Sequence, residues 1–374
     1  MKMRIGVLTY HRSHNYGACL QGYALASWIE ENTGIKAELI DYNMNASEKF
    51  YFREIFRGKH LAKIISNIRR YCMFKESALK DFPLSSETLI SDSISQFEAL
   101  VSGKYDIIVV GSDEVWKLGF RGFPNPYFLP DIDVPHKLGY AVSARCDFSA
   151  LGSEKVLDLQ RYLDSFEYIG VRDKATQESI IPYTTKSKVF LNCDPTFNYD
   201  FKPDILHGKS IIASDKKTIG FMFIDSAKAR KIIEHYGDKY NYIALYDAVP
   251  GIRNLCSVSP FDWVDIVSAC DFLITNYFHC MCFALKGNVP FIIMEIRGGK
   301  KEDSKSFDIL SECGLADRFF MKEELADIDP ICKIIDRDIG NNIDFSNVVM
   351  QQRGKSQSFL NALHGIIKQE EEVK

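Results

Sequence analysis

Short apolar runs alternate with segments of helical periodicity through most of the sequence. The pattern predicts a buried strand over 3–9, an amphipathic helix over 17–31 and a second strand over 37–42. Further along, it predicts strands over 105–116, 137–144, 168–173 and 187–197, and helices over 154–165 and 174–180. Strands that alternate with helices, without long runs of alternating polarity, indicate a parallel sheet covered on both faces.

The same pattern starts again after a polar, charged loop over 199–217. It predicts strands over 218–224, 240–246, 271–275 and 289–295, helices over 226–236, 260–269 and 280–287, and a last helix over 353–369. The predicted fold class is therefore α/β, with two Rossmann-like domains built on parallel sheets. We expect an N-terminal domain over 1–205, a C-terminal domain over 206–345, and a helix within 346–374 that packs back on the N-terminal domain.

Length and charge narrow the class of protein. A single core rarely grows beyond about 250–300 residues, and the chain has 374. A net charge of −4 argues against a general nucleic-acid binder, because such proteins need a positive field over their surface. The first residues contain no apolar run long enough for a signal segment or a membrane span. We expect a cytoplasmic protein.

The cysteines give no sign of a metal site. Ten cysteines without an export signal are typical of reduced thiols in the cytoplasm. Cys280 and Cys282 are only two residues apart and no second pair follows, so the spacing does not match a structural zinc site. We therefore expect no metal.

The segment 51–80 differs in charge from the rest of the chain. It contains eight Lys or Arg and two Glu, a net charge of +6, and apolar residues are interleaved with the basic ones. Two interpretations remain open. The segment is an amphipathic surface that contacts an anionic membrane at its inner face, or a basic helical insertion that covers the N-terminal domain with its charged side in water.

Candidate functional residues follow the ends of predicted strands, where ligands bind in open α/β sheets. After the first strand come Asn15, Tyr16 and Gly17, at the start of a helix. Free backbone N–H groups there suit an anion or a hydroxyl. Alternatively, Asn15 caps the helix and Gly17 allows close packing against the sheet. We expect His11 and His14 to lie in a surface loop.

Two further groups lie at strand ends in the first half. Gly111, Ser112 and Asp113 follow the strand YDIIVV, and a carboxylate there could orient a hydroxyl or act as a base. The alternative is that Asp113 caps the next turn. Arg172 ends the strand YIGV, where it suits a carboxylate or phosphate ligand or, alternatively, pairs with Asp173 or Asp194.

In the second half, the stretch ITNYFHCMCFALKG over 274–287 places His279 at or just before a helix start. A histidine there can titrate near neutrality and bind an anion, although a lone histidine is more often structural. Arg297 lies in a Gly-Gly loop with two lysines, which could cradle a diphosphate or lie in solvent as a basic loop.

Six blocks in this order resemble the polysaccharide pyruvyl transferase family: NYGACLQGYAL, IIVVGSDEVW, YAVSA, IGVRD, CDPTF and ITNYFHCMCFAL. The resemblance implies two Rossmann-like domains arranged as in GT-B glycosyltransferases, with the active site in the cleft between them. It also implies a reaction in which phosphoenolpyruvate donates its three-carbon unit to two hydroxyls of a sugar in a surface polysaccharide or its lipid-linked precursor. The product is a pyruvate ketal, phosphate is released, and no cofactor is needed.

The resemblance assigns donor binding and catalysis to Asp113, Arg172 and His279. One position departs from the family, since some members have Arg and others Ser where this chain has Tyr277. Another cation, Arg145 or Arg297, would then bind the donor carboxylate. The remaining expected site residues are Ser112, Asn276, Tyr277 and Phe278 on the donor side, and His14, Asn15, Tyr16 and Gly17 on the acceptor side.

Two other functions remain open. The same fold could serve a glycosyltransferase that uses a nucleotide sugar, or a glycan-binding homologue that has lost the chemistry. The sequence does not identify the acceptor sugar, the hydroxyls that are bridged or the oligomeric state.

Overall fold

A computed structural model describes residues 3–57, 61–119, 122–144, 146–222, 226–296 and 298–373. The strands, in chain order, are β1 Ile5–Leu8, β2 Ala37–Leu39, β3 Tyr42–Asn43, β4 Leu89–Ile90, β5 Ile107–Val110, β6 His136–Val142, β7 Tyr168–Val171, β8 Val189–Leu191, β9 Thr218–Met222, β10 Asn241–Ala244, β11 Arg253–Asn254, β12 Phe272–Thr275, β13 Phe291–Glu295 and β14 Phe319–Met321. The α-helices are α1 Tyr16–Thr33, α2 Asn45–Glu54, α3 Leu61–Cys72, α4 Ile94–Val101, α5 Ser153–Leu163, α6 Lys174–Ile180, α7 Pro195–Asn198, α8 Ser226–Tyr236, α9 Pro260–Ala269, α10 Phe278–Lys286, α11 Lys305–Glu312, α12 Asp329–Asp338, α13 Ser346–Gly354 and α14 Gln357–Val373.

The chain forms two compact units, each with its own sheet. The first consists of 1–54, 79–200 and 352–374, and the second of 55–78 and 201–351. The α/β class with two Rossmann-like units is therefore confirmed. The units differ from the expected domain bounds. Most of the basic segment 51–80 belongs to the second unit rather than to the first, the first unit gives way to the second at 200/201 rather than 205/206, and the C-terminal part of the first unit starts at 352 rather than 346.

The first sheet has the order β2-β1-β5-β6-β7-β8, and its strands are parallel. The chain builds outward from β1 in both directions, since Ile5 pairs with Ala37 on one side and with Ile107 on the other. The loops that follow β1 and β5 therefore leave the sheet at a topological switch point, where ligands bind in folds of this kind. The strands β3 and β4 form a separate, two-stranded parallel sheet.

Two helices illustrate how sequence signals produce the first unit. Asn15 caps α1 by accepting hydrogen bonds from Gly17 N and Ala18 N, and Gly34 ends the helix with a φ of 67°. That left-handed conformation carries no steric cost in glycine. At the far end of the chain, Phe359 of α14 packs its ring against Trp28 and Tyr140, with centroids 5.9 and 4.7 Å away.

The second sheet has the order β11-β10-β9-β12-β13-β14 and is also parallel. Here the chain builds outward from β9, so the switch point lies between β9 and β12. The helix α10 begins directly after β12, at Phe278, two residues before the predicted start. The core of the second unit includes Phe221, Ile274, Ile292 and Met294.

The basic segment joins the second unit through its helix α3. Asn67 is buried and donates hydrogen bonds to the carbonyl oxygens of Ile55 and Arg57 at 3.2 and 3.1 Å, which folds the preceding turn onto the helix. Arg70 then donates a 3.0 Å hydrogen bond to the carbonyl oxygen of Tyr246. These contacts explain why residues 55–78 belong with a sheet that lies far away in the sequence.

Within the described residues, no helix combines the length and the apolar character that crossing a bilayer requires. A span needs about 20 apolar residues.

Gly111 allows the chain to turn after β5. Its φ is 123°, and a Cβ built there lies 2.0 Å from the carbonyl oxygen of Tyr140. Gly111→Ala is therefore expected to lower the free energy of unfolding by about 3 kcal/mol or more, measured by denaturant unfolding. Gly152→Ala is the control, because no heavy atom lies within 4 Å of its Cβ position. Equal unfolding midpoints for the two variants would contradict this account.

Candidate functional site

The carboxyl edge of the first sheet holds a buried arginine between two carboxylates. Arg172 follows β7, and its Nη2 donates to Asp113 Oδ1 at 3.0 Å while its Nη1 donates to Asp194 Oδ2 at 2.9 Å. The Arg172 and Asp194 side chains are almost fully buried, whereas 15% of the Asp113 side chain is exposed. The structure thus brings together two predicted residues, Asp113 and Arg172, and adds Asp194.

The charges in this network support one another. Burial alone disfavours the charged guanidinium, but Asp113, Asp194 and Asp173 outweigh it and raise the pKa of Arg172 above its ordinary value. Asp194 also caps α7 by accepting from Thr196 N, so its position is fixed by the helix start. The pairing with Asp194 that the sequence left as an alternative for Arg172 is present, together with the link to Asp113.

Asp113 is held in an unusual backbone conformation. Its φ is 79°, its carbonyl oxygen accepts from Val115 N and Ser143 N, and its Oδ1 also accepts from Glu114 N at 2.9 Å. Positive φ in a residue other than glycine is uncommon and is enriched at functional sites. The backbone therefore presents this carboxylate at the sheet edge with little freedom to move.

Ser112 has a structural environment rather than an open one. It is fully buried, and both its N and its Oγ donate to Gln21 Oε1, at 3.1 and 2.5 Å. Gln21 of α1 in turn donates to Thr9 Oγ1 at 2.7 Å, and Thr9 Oγ1 donates to the carbonyl oxygen of Ser112 at 3.0 Å. This closed ring joins β1, α1 and the loop after β5. A donor-binding role for Ser112 stays a prediction.

The residues expected on the acceptor side lie at the start of α1. Asn15 caps the helix, while Tyr16 and Gly17 are buried in its first turn. His14 stacks on Tyr51 with ring centroids 4.3 Å apart. The cap matches the structural alternative for Asn15, and the roles of Asn15, Tyr16, Gly17 and His14 toward an acceptor stay predictions.

His11, which we expected in a surface loop, is fully buried. Its Nε2 lies 3.1 Å from Asp41 Oδ1, and Arg12 donates to both carboxylate oxygens of Asp41, at 2.5 and 2.6 Å. Thr88 donates to Oδ2 of the same carboxylate. Burial alone would raise the pKa of Asp41, but these hydrogen bonds outweigh it and hold the pKa well below its usual range.

In the second unit, the predicted residues Asn276 and Tyr277 lie in the short loop after β12, and Phe278 and His279 begin α10. His279 lies in the first turn of α10 and is buried, with its ring 5.4 Å from that of Phe278. Tyr277 occupies the cap position, and its side chain makes no capping hydrogen bond. The side-chain oxygen of Asn276 has no hydrogen-bond partner in the described part of the chain. These groups lie together where the positive end of a helix meets the sheet edge.

A second polar cluster, formed by Arg70, Tyr246, Asp247 and Tyr277, lies at the same edge. Tyr277 donates its hydroxyl to Asp247 Oδ2 at 3.4 Å, and its ring lies 5.3 Å from that of Tyr246. The guanidinium carbon of Arg70 lies 4.3 Å from the centre of the Tyr246 ring. The loops after β10 and β12 therefore meet around a carboxylate and a cation.

Electrostatics sets the state of this cluster. Desolvation raises the pKa of Asp247, and it is only partly offset by Arg70, Lys63, the Tyr277 hydroxyl and Arg57. Desolvation also raises the pKa of Tyr277, so the phenol stays protonated and can donate. A carboxyl with a raised pKa at a sheet edge is a candidate for proton transfer.

Sequence reasoning missed Asp41, Asp247 and Arg70. Asp41 and Asp247 each lie just past the end of a parallel strand, so the rule that selected Asp113 could also have selected them. Arg70 gave no such signal, because it reaches Tyr246 from 176 residues away in the chain. Arg145 and Arg297, expected to bind the donor, lie outside the described residues.

The described ranges contain no group of three or more His, Cys, Asp or Glu placed to hold a metal ion. The side chains and helix ends at the two sheet edges are suited to proton transfer by Asp113, Asp247 or His279 and to anion binding by arginine and helix-end amides.

Removing the Arg172 cation leaves buried carboxylates without compensation. Arg172→Gln is expected to lower the free energy of unfolding by about 3–5 kcal/mol, measured by denaturant unfolding. The control is Arg161→Gln, which breaks the surface ion pairs of Arg161 with Asp131 and Asp158 and should leave the unfolding midpoint nearly unchanged. An Arg172→Gln midpoint as high as that of the control would show that the network is dispensable.

The lowered pKa of Asp41 makes stability depend on pH. A carboxyl with a folded pKa below its unfolded value stabilises the fold above the unfolded pKa, about 3.9, and this contribution is lost as the pH falls through the folded pKa. Asp41→Asn should therefore lower stability by about 3 kcal/mol at pH 7. The difference in melting temperature, followed by circular dichroism, should narrow as the pH falls below 4. A difference that stays constant would contradict the charge-based explanation.

The fold of the chain is similar to that of solved structures. The chain adopts the GT-B fold of UDP-GlcNAc 2-epimerase from Methanocaldococcus jannaschii, with a TM-score of 0.58 at 11% identity over 97% of this chain and 100% of that one. The enzyme from Rickettsia bellii is similar in fold, with a TM-score of 0.50 at 10% identity over 99% and 97% of the two chains. At these identities the likeness concerns the fold alone.

The sequence itself matches a family description. No curated protein matches the chain. The model of the family "Polysaccharide pyruvyl transferase" matches residues 15–297, a range that runs from the α1 cap through β13 and contains Asp113, Arg172 and His279. The chain belongs to the polysaccharide pyruvyl transferase family.

Proposed function

We propose that this transferase moves the three-carbon unit of phosphoenolpyruvate onto two hydroxyls of a sugar, forming a pyruvate ketal and releasing phosphate. Membership of the family carries the proposal. Three observations support it: the Asp113–Arg172 pair at the switch point of the first sheet, the buried His279 at a helix start, and the Arg70 cluster beside that helix.

The first unit supplies a base for the attacking hydroxyl. Asp113 is partly exposed and is held by Arg172, which keeps the carboxylate oriented. Because both Nη atoms of Arg172 bind aspartates, the guanidinium acts here as a positioning group. Asp113 accepts the hydrogen bond of the sugar hydroxyl and takes its proton as the hydroxyl adds.

The second unit supplies the groups for the donor. Phosphoenolpyruvate carries a phosphate and a carboxylate, so it needs cations and helix-end N–H groups. The amino end of α10 offers such N–H groups, and Arg70 supplies the cation beside Tyr277. His279 delivers the proton to the donor's methylene carbon, or holds the phosphate if Asp247 is the acid.

The proposed steps balance in atoms and charge. A proton adds to C3 of phosphoenolpyruvate and makes a methyl group, which leaves a cationic centre at C2 that the first sugar oxygen attacks. The C2–O bond to phosphate then breaks, and the second sugar oxygen takes its place. Of the two hydroxyl protons, one replaces the proton given to C3 and the other leaves with phosphate. No cofactor enters these steps.

The acceptor in this proposal is a sugar of a surface polysaccharide or of its lipid-linked precursor. A glycan acceptor is what the family implies, and the proposal adds the location of that glycan at the cell surface. Phosphoenolpyruvate is a co-substrate rather than a cofactor, and no metal is required.

The test is phosphate release from phosphoenolpyruvate with a panel of methyl glycosides of galactose, glucose, mannose and N-acetylglucosamine. His279→Ala is expected to lower kcat by about 10²–10⁴-fold if the imidazole transfers the proton. His235→Ala, on the exposed face of α8, is the matched control and should keep full activity. A loss below about fivefold with His279→Ala in a folded protein would remove His279 from this role.

A nucleotide-sugar glycosyltransferase is the competing function. A ligand that binds the folded state raises the melting temperature, so phosphoenolpyruvate and UDP-sugars can be compared directly on the wild-type protein. Stabilisation by phosphoenolpyruvate supports the proposal. Stabilisation by a UDP-sugar alone would overturn it. Binding of a glycan without any phosphate release would indicate a homologue that has lost the chemistry.

A further inference from the structure

Helix α3 has an exposed apolar stripe, formed by Leu61, Ile65 and Ile68. These residues are spaced four and three apart, so they lie on one side of the helix. Their exposed fractions are 73%, 43% and 43%, high values for large aliphatic residues. Cys72, one turn further along the same side, is exposed as well. A helix that served only to cover the protein would turn these positions inward.

The opposite side of α3 makes contacts within the second unit. Asn67 is buried and bonded to the carbonyl oxygens of the preceding turn, and Arg70 is bonded to Tyr246 and lies over its ring. These contacts fix the rotation of the helix about its axis. The apolar stripe is therefore held outward by the packing of the polar side and cannot be buried by rolling the helix.

Exposed basic residues flank the stripe. They are Arg69 on α3 and Lys75 just beyond its end, and Glu76 is the one acidic residue among the described positions of 55–78. Apolar residues flanked by lysine and arginine are typical of helices that lie in the surface of an anionic bilayer. At 12 residues, α3 is far too short to span one.

We propose that the outward face of α3 docks on an anionic lipid surface, with the stripe entering the headgroup region and the basic residues binding lipid phosphates. A second copy of the chain fits the same face less well, because pairing two such faces would bring the same basic residues together and repel them. This proposal goes beyond the proposed reaction and does not depend on it.

Sedimentation with vesicles tests the proposal on the full-length protein. Wild type should bind vesicles of phosphatidylcholine mixed with phosphatidylglycerol at low salt, bind pure phosphatidylcholine weakly, and lose binding as salt is raised. The double variant Ile65→Gln, Ile68→Gln should bind at least about tenfold more weakly. Arg69→Gln should bind about fivefold more weakly, at about 1 kcal/mol per basic residue near the surface. Glutamine keeps a good helix propensity, so α3 should still form.

The matched controls carry the same substitutions elsewhere. Leu157→Gln removes a leucine that is 67% exposed on α5, and Arg230→Gln removes an exposed arginine on α8. Both should bind vesicles like wild type. Circular dichroism melting confirms that each variant is folded.

Three results would overturn the proposal. They are no binding of wild type to anionic vesicles at low salt, equal binding to vesicles with and without phosphatidylglycerol, and unchanged binding by the α3 variants. Light scattering tests whether a second copy of the chain occupies this face instead. If wild type forms a concentration-dependent dimer that the double variant loses, and does not bind vesicles, the face serves self-association.

Discussion

The feature on which the first unit depends is the buried ion pair of Arg172 with Asp113 and Asp194. A guanidinium in the interior needs partners, and it finds them in carboxylates that follow β5 and β8. The pair therefore ties together the carboxyl ends of strands that lie on either side of β7 and β6. Because Asp113 also has a strained backbone, the network holds one chemically useful carboxylate in a fixed place at the cost of some folding free energy.

A carboxyl in each unit has a shifted pKa, and the two shifts are opposite in direction. In the first unit, hydrogen bonds overcome desolvation and keep Asp41 charged. Around Asp247 the cations are too weakly coupled to overcome desolvation, so its pKa is raised. One chain thus contains carboxyls at comparable positions, the ends of parallel strands, with pKa values shifted in opposite directions. The difference comes from the number of donors that reach each carboxylate.

The sequence was sufficient for the fold class and for placing several candidate residues at the sheet edges, while their functional roles stay predictions. Short apolar runs predict buried parallel strands, and the polar residues directly after such a run lie at the edge of the sheet. Asp113, Arg172 and His279 could be selected in this way. The burial of His11 could not be predicted, since it depends on Asp41 and Thr88 from other parts of the chain. For the same reason, the pattern could predict a basic helix within 51–80 but could not show which sheet it packs on.

The chain path of the two units has a consequence for how the protein can be made. Residues 55–78 leave the ribosome long before the strands of the second unit, to which they belong, and the first unit also recruits 352–374 from the far end. Neither unit is complete in any contiguous fragment that ends near residue 200. Each unit therefore contains a segment from the other half of the sequence. If the gene were divided near residue 200, each fragment would lack one segment of its unit, 352–374 for the first and 55–78 for the second.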